Sequence, residues 1–186
     1  DIENVTVTDA DTTSEDVTTS SNKYVVGSGF LDNKTYKEEL EEPKVNTLIK
    51  NPIIIKTPKS IKEKITEKAL HQLILDDICN FLKELGVGFS FIDHEYKIKI
   101  GNTYHSIDFL LFNIEYNAFI VVEIKVTEFK SEYIGQITKY MNYVDKNIRK
   151  INQEKTIGII ICKKDNQFVM EYCSDERIFM TNYVTI

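Results

Sequence analysis

The twelve residues Phe119 to Lys130, FIVVEIKVTEFK, constrain this chain more than any other stretch. Phe119-Ile120-Val121-Val122 is an unbroken apolar run rich in β-branched side chains, and such a run reads as a strand buried on both faces. Glu123 interrupts it, and Lys125 follows two positions later. Burying one ion costs several kcal/mol unless it is paired, and burying two costs more. A core strand that carries Glu-x-Lys therefore needs a reason.

Strand geometry sharpens the problem. Residues two apart leave the same face, so Glu123 and Lys125 project together, roughly 7 Å apart, while Ile124 points the other way into the core. One strand earlier, Asp108 interrupts SIDFLLF in the same manner. In a hairpin Asp108 and Glu123 meet across the sheet, and two converging carboxylates repel unless a cation lies between them. Mg²⁺ suits such a place, because it takes one or two carboxylates, keeps several waters and accepts phosphate oxygens. The lysine then holds or deprotonates an attacking water, or neutralises the charge of a phosphorane. Glu/Asp-x-Lys alone has little force, since Asp32/Lys34, Glu42/Lys44, Glu95/Lys97 and Glu128/Lys130 repeat it in polar surroundings. Only Glu123/Lys125 ends an apolar strand that follows another strand with an acid in it. The competing reading of this trio is a strand-end salt bridge.

Around this strand the chain divides into three. Residues 1–22 rotate Thr, Ser and Asp with few large apolar side chains and are expected to be disordered. Residues 23–59 alternate apolar patches with charge runs and prolines, and read as a connector with a short helix at 34–42, free to dock on the domain or on a neighbour. Residues 60–186 read as the folded domain. Ser60 and Glu63 fit a capping box, and Leu70, Leu73, Ile74, Ile78, Phe81, Leu82 and Leu85 recur at helical spacing up to Gly86. Strands are predicted over Phe89–Ile100, Tyr104–Phe112 and Ala118–Val126, a helix over 131–148, a buried strand over 156–162, and a short tail with Phe168–Cys173 and Asn182–Thr185. The fold class is α/β (α+β), a mixed central sheet flanked by helices in the order α-β-β-β-α-β.

Net charge is −6, but residues 1–20 hold four Asp, two Glu and no Lys or Arg, so the remainder is balanced. A basic track for a nucleic acid remains open, and Lys97, Lys99, Lys130, Lys139, Lys146, Arg149 and Lys150 are its candidates against a scattered solvated face. No stretch is long and apolar enough to cross a bilayer as a helix, so no membrane partner is expected. Three scattered cysteines, Cys79, Cys162 and Cys173, make neither a zinc site nor a disulfide framework, and read as small buried side chains in a reducing, cytoplasmic compartment, or a nuclear one in a eukaryote.

Several separated blocks, FLKELGVGFSFI, YKIKIGNTYHSIDFLLF, FIVVEIKVTEFKSEYIGQITKYMNYVD, TIGIIICKK and VMEYC, occur in an order that resembles the PD-(D/E)XK nuclease superfamily, and within it the bacterial YhcG-like nuclease domains. The resemblance covers about Leu70 to the C-terminus and implies a restriction-endonuclease-like core. It implies that Asp108, Glu123 and the Ile124 carbonyl ligate the metal, and that Lys125 is the catalytic lysine. Gln136 and Tyr140 become a pair on one face of the second helix that positions the phosphate or the lysine. Two departures stand out. The family's first-helix acid falls on His71, with Glu67 one turn earlier as a substitute ligand, and Glu95 stands where relatives carry Gln. Glu95, Lys97, Lys130 and Lys139 are expected at the substrate. The implied cofactor is Mg²⁺, with Mn²⁺ as a substitute. The implied partner is DNA, RNA being the weaker candidate, and a homodimer stays open. The expected activity is metal-dependent phosphodiester hydrolysis leaving 5′-phosphates. The alternative is a nuclease fold kept only for binding nucleic acid or protein.

Overall fold

The computed structural model describes residues 23–26, 29–32, 49–58, 65–171 and 173–186. The chain divides into two units, Asp1–Pro43 and Lys44–Ile186. Within the first, strands β1 (Lys23–Val26) and β2 (Gly29–Asp32) pair antiparallel, with Lys23 opposite Asp32. The expected disorder of 1–22, the helix at 34–42 and the Ser60/Glu63 capping box fall outside the described residues.

The second unit is built on one six-stranded sheet. In chain order its elements are β3 (Ile53–Ile55), α1 (Glu67–Asp76), α2 (Ile78–Leu85), β4 (Phe89–Ile100), β5 (Thr103–Asn113), β6 (Ala118–Glu128), α3 (Ser131–Asn147), β7 (Ile157–Lys164), α4 (Gln167–Glu171) and β8 (Ile178–Thr185). The order across the sheet is β3-β8-β7-β6-β5-β4. β4, β5 and β6 form an antiparallel meander, whereas β6, β7, β8 and β3 run parallel. The crossover from β6 to β7 is α3, because parallel neighbours need a long connection. This is the mixed sheet flanked by helices that the periodicities predict.

β6 explains its composition at once. Ile120, Val122 and Ile124 join Leu70, Ile74, Phe81 and Leu85 of α1 and α2 on one face. Val121 joins Tyr133, Ile137, Tyr140, Met141 and Val144 of α3 on the other. Burial on both faces removes the usual polar alternation. α3 presses closely on the sheet: a Cβ on Gly158 of β7 would come within 2.6 Å of Met141 Sδ and 2.9 Å of Ile137 Cδ1. At the β5–β6 turn, buried Asn113 donates to the Val87 carbonyl and accepts from the N–H groups of Glu115 and Tyr116, which fixes the turn.

Three expectations are corrected. The sheet begins before Ser60: β3 lies in the stretch read as connector, and it pairs with β8, Ile53 opposite Tyr183. Its three residues are too short for a period, and their partner is over a hundred positions away. The C-terminal segment is no tail, since β8 sits between β7 and β3. Its buried Thr181 spends its hydroxyl on the Lys50 carbonyl at 2.8 Å. The first helix is two helices. At Asp77 (φ −133°, ψ 50°) the backbone leaves the helical region, and Thr66 caps α1 by accepting from Ala69 N–H. Aspartate is a poor interior helix former, and a repeat of apolar residues does not register such a break. Among the cysteines Cys162 is buried, whereas Cys79 is exposed.

Candidate active site

The β5–β6 ladder runs from Asn113 opposite Ala118 to Phe109 opposite Val122, and stops there. The next pair would be Asp108 with Glu123. Side chains replace the ladder instead. Ile124 N–H donates to Asp108 Oδ2 at 2.7 Å, and Asp108 N–H reaches Glu123 Oε1 at 3.5 Å. Each carboxylate thus serves the backbone of the other strand, and the two strands part around them.

Glu123 is 1% exposed, yet every partner it needs is at hand. Lys125 Nζ donates to its Oε2 at 3.1 Å, and Gln136 Nε2 to the same oxygen at 2.9 Å. Gln136 also donates to the Tyr140 hydroxyl at 3.3 Å, one helical turn along α3. The Lys125 ammonium lies 5.4 Å from the centre of the Tyr133 ring, whose hydroxyl is bonded to Thr127. Cys162 is the β7 neighbour of Lys125, and burial pushes its thiol up to about 12, so it stays protonated.

The electrostatics of the group are unbalanced. Burial, and then the charge of Asp108, push Glu123 up to about 7, against the pull of Lys125. Burial works against the Lys125 ammonium, but Glu123 and Asp108 outweigh it and the net direction is up. Lys125 is therefore a held cation at neutral pH, which argues for charge stabilisation and against proton abstraction. His71 of α1 approaches Asp108 Oδ2 through Nε2 at 3.2 Å and packs its ring on Phe109, 5.0 Å between centres. Burial opposes its protonation, and the bond to Asp108 overrides this, so its pKa is raised.

The structure brings Asp108, Glu123, Lys125, Gln136 and Tyr140 into one bonded chain. Lys139 adjoins it, its ammonium 5.5 Å from the Tyr140 ring centre. Glu95 on β4 is exposed with φ 47°, close enough for its charge to act on His71. Glu67 opens α1, exposed, and its charge acts on Lys125, but no bond ties it to the carboxylate pair. Lys97 is exposed and reaches Ser106 on the neighbouring strand at 3.5 Å. Lys130 stands at the start of α3 beside Glu132 at 3.8 Å, without a bond to the group. Three contributors escape a reading of the sequence as active groups. They are His71 as a partner of Asp108, Tyr133 under the lysine, and His105, whose ring packs 6.1 Å from Tyr140.

The donor set can be tested against a metal ion. Among the described residues no three His, Cys, Asp or Glu side chains converge as a metal cluster. The protein therefore offers two hard carboxylates and the neighbouring Ile124 carbonyl, not a full cage. That fits an ion of the Mg²⁺ type, which keeps much of its water. The raised Glu123 points the same way, since burial and the charge of Asp108 outweigh the pull of the Lys125 ammonium 3.1 Å away.

The sequence model of the YhcG PDDEXK nuclease domain matches residues 46–186. The chain belongs to this family. The match takes in β3, which agrees with its place in the sheet. Over 114 residues the chain is 23% identical to the Escherichia coli (strain K12) protein named "Putative nuclease YhcG", covering 61% of this chain and 30% of that protein. The chain thus spans less than a third of that relative's length. Among solved structures it is similar to a repair endonuclease from Pyrococcus abyssi, with 16% identity, TM-score 0.45, and 65% of this chain and 48% of that one covered. It is also similar to the protein of an EndoMS–dsDNA2 complex, at 15% identity and TM-score 0.47, over 65% and 47% of the two chains.

Proposed function

We propose that this YhcG-type domain is a divalent-metal-dependent nuclease that hydrolyses phosphodiester bonds in DNA. The observation that carries the reading is the buried Glu123 facing Asp108 at the parting of β5 and β6, with Lys125 and Gln136 on the same carboxylate oxygen. One ammonium faces two carboxylates there, and Glu123 is raised in spite of it. Asp108, Glu123 and the Ile124 carbonyl would hold the ion, Mg²⁺ or Mn²⁺. When bound, such an ion supplies Lewis acidity and makes the water it carries more acidic.

The chain's own groups do the rest. Lys125, held as an ammonium, stabilises the charge that builds on the phosphorane as water attacks phosphorus in line. The P–O3′ bond breaks, leaving a 5′-phosphate and a 3′-hydroxyl. Gln136 fixes the Glu123 carboxylate, and Tyr140 steadies Gln136. His71 donates to Asp108 and so sets the direction of that carboxylate. These are preorganised charges, the most effective kind of contribution when charge develops at phosphorus.

The test is cleavage of single-stranded, duplex and branched DNA by the chain with Mg²⁺, Mn²⁺ or EDTA, beside Lys125→Ala. Metal-dependent products absent from the variant are expected, and equal cleavage by the two would refute the assignment of Lys125. A second reading has one observation behind it. His71, a group able to carry positive charge, occupies the place of the first-helix acid, as it would in a domain that binds nucleic acid without cutting it. DNA binding with no cleavage under any metal would select that reading.

A further inference from the structure

A cleft lies beside this site, and we infer that it seats the sugar–phosphate backbone of the substrate strand next to the scissile bond. The cleft has a volume of about 410 Å³ and lies between the β4–β5 turn and the outer face of α3. It is lined by Lys99, Ile100, Gly101, Lys139, Asn142, Tyr143, Lys146 and Asn147, three lysines and no acid. None of the three lysines forms an ion pair among the described residues. Lys99 lies 5.4 Å from the Tyr104 ring centre and Lys139 5.5 Å from that of Tyr140, so both ammonium groups rest on aromatic faces and stay available to an anion.

The geometry connects the cleft to the site. Lys139, Asn142, Tyr143, Lys146 and Asn147 recur at three- and four-residue steps, hence on one face of α3. Stepping back three positions from Lys139 reaches Gln136, which holds Glu123 at 2.9 Å. From Gln136 to Lys146 the helix rises about 15 Å. That is the span of about four stacked nucleotides at about 3.4 Å each. Its volume of about 410 Å³ favours part of a single strand over a duplex as the occupant. Its carboxamides and its half-buried Tyr143 suit sugar oxygens and a base face. The inference rests on the nuclease reading for what the strand is, but not for whether it binds.

Binding and cleavage are therefore measured separately, with the whole chain. A labelled single-stranded oligonucleotide is titrated in EDTA at several salt concentrations, followed by fluorescence anisotropy. The proteins are wild type, the Lys99→Ala/Lys139→Ala/Lys146→Ala triple variant, the matching Lys→Arg triple, and a control triple at the exposed Lys56, Lys83 and Lys155. Three lost phosphate contacts should reduce the slope of log K against log salt by about 2, with the Arg triple and the control near wild type. In Mg²⁺ the Ala triple should raise KM far more than it lowers kcat. If wild type cleaves and the Ala triple keeps the wild-type slope and KM, the cleft is not the strand's seat and the nuclease reading survives. If wild type never cleaves but the slope still falls only in the Ala triple, the seat stands and the nuclease reading fails.

Discussion

Two charged clusters lie at opposite ends of the parallel strands, and α3 contributes to both. Near the starts of β7 and β8, Arg177 pairs with Asp145 at 3.0 Å and Asp175 at 2.7 Å, while Asp145 accepts from Thr156 N–H and hydroxyl and lies 3.4 Å from Arg149. Two arginines meet two aspartates. Hydrogen bonding to Arg177 holds the Asp175 carboxyl below its ordinary range, and the bond to Asp175 raises Arg177. Asp175 and Arg177 thus each favour the charged form. At the other end, beyond Val122 on β6, burial and Asp108 drive Glu123 the opposite way, to about 7. The first cluster has relaxed into balance and ties α3 to the sheet. The second is held out of balance, which is what a site that takes up a cation and an anionic substrate requires.

The largest expected difference between the two ends lies in catalysis. Lys125→Ala should reduce DNA cleavage by about 10³-fold or more, the scale of losing a group aimed at developing charge. Its thermal midpoint should move little, because Glu123 can take up a proton when its ammonium partner is gone. Steady-state cleavage and a melting curve on the same sample decide this. A variant that unfolds but cleaves normally while folded would invert the comparison.

Stability against pH separates the ends next. A carboxylate whose folded pKa is raised contributes most at low pH, and the contribution falls as pH rises from 4.5 through about 7. In EDTA this should cost the domain up to about 3 kcal/mol between pH 4.5 and 8. His71, also raised, adds stability present below its ordinary value and lost as pH rises through the folded one. Asp175 runs against both, its contribution present at neutral pH and lost in acid. Glu123→Gln should flatten most of the fall, measured by denaturant titration across this range. An unchanged profile would mean that Glu123 is charged and comfortable, and the imbalance would not exist.

Arg177→Ala reverses the first prediction. It leaves Asp145 and Asp175 facing each other without their shared cation. Losing one partner of a buried pair costs about 3–5 kcal/mol, and the 29% exposure of Arg177 lowers the expectation to about 2 kcal/mol. The melting midpoint should drop by about 4–8 °C. Cleavage per folded molecule should not change, and a loss approaching that of Lys125→Ala would show that the far cluster acts on the site.

The two clusters also differ in how far the sequence discloses them. Glu123 and Asp108 are visible because each breaks an apolar run, and an ion in a core strand has few explanations. Gln136 and Tyr140 are legible only beside them, as a helical pair of the kind the resemblance implies. Asp145, Asp175 and Arg177 stand among other polar residues, where nothing in the local pattern separates a tied charge from a solvated one. His71 is hidden differently: its position on the helix is clear, but its contact with Asp108 is set by how α1 lies on the sheet. β3 and β8 are lost for the same reason, since three apolar residues and a strand broken by Thr181 and Asn182 gain their meaning only by pairing across the chain.

Tyr140 lies on α3 between the two ends and gives the finest comparison. Its hydroxyl accepts from Gln136 at 3.3 Å, a longer bond than the 2.9 Å that Gln136 makes with Glu123. Burial raises its pKa, so it is neutral at ordinary pH and offers a dipole where Lys125 offers a charge. Gln136 should therefore keep its place on Glu123 when the hydroxyl is removed. Tyr140→Phe retains the ring that packs with Ile137 and Met141, so stability should change by less than about 1 kcal/mol. Cleavage should fall only about 3- to 10-fold, in kcat and not in KM, the scale of one neutral hydrogen bond. A loss as large as that of Lys125→Ala would mean that the hydroxyl meets the reacting phosphate itself, and Tyr140 would move from holding Gln136 to taking part in the chemistry.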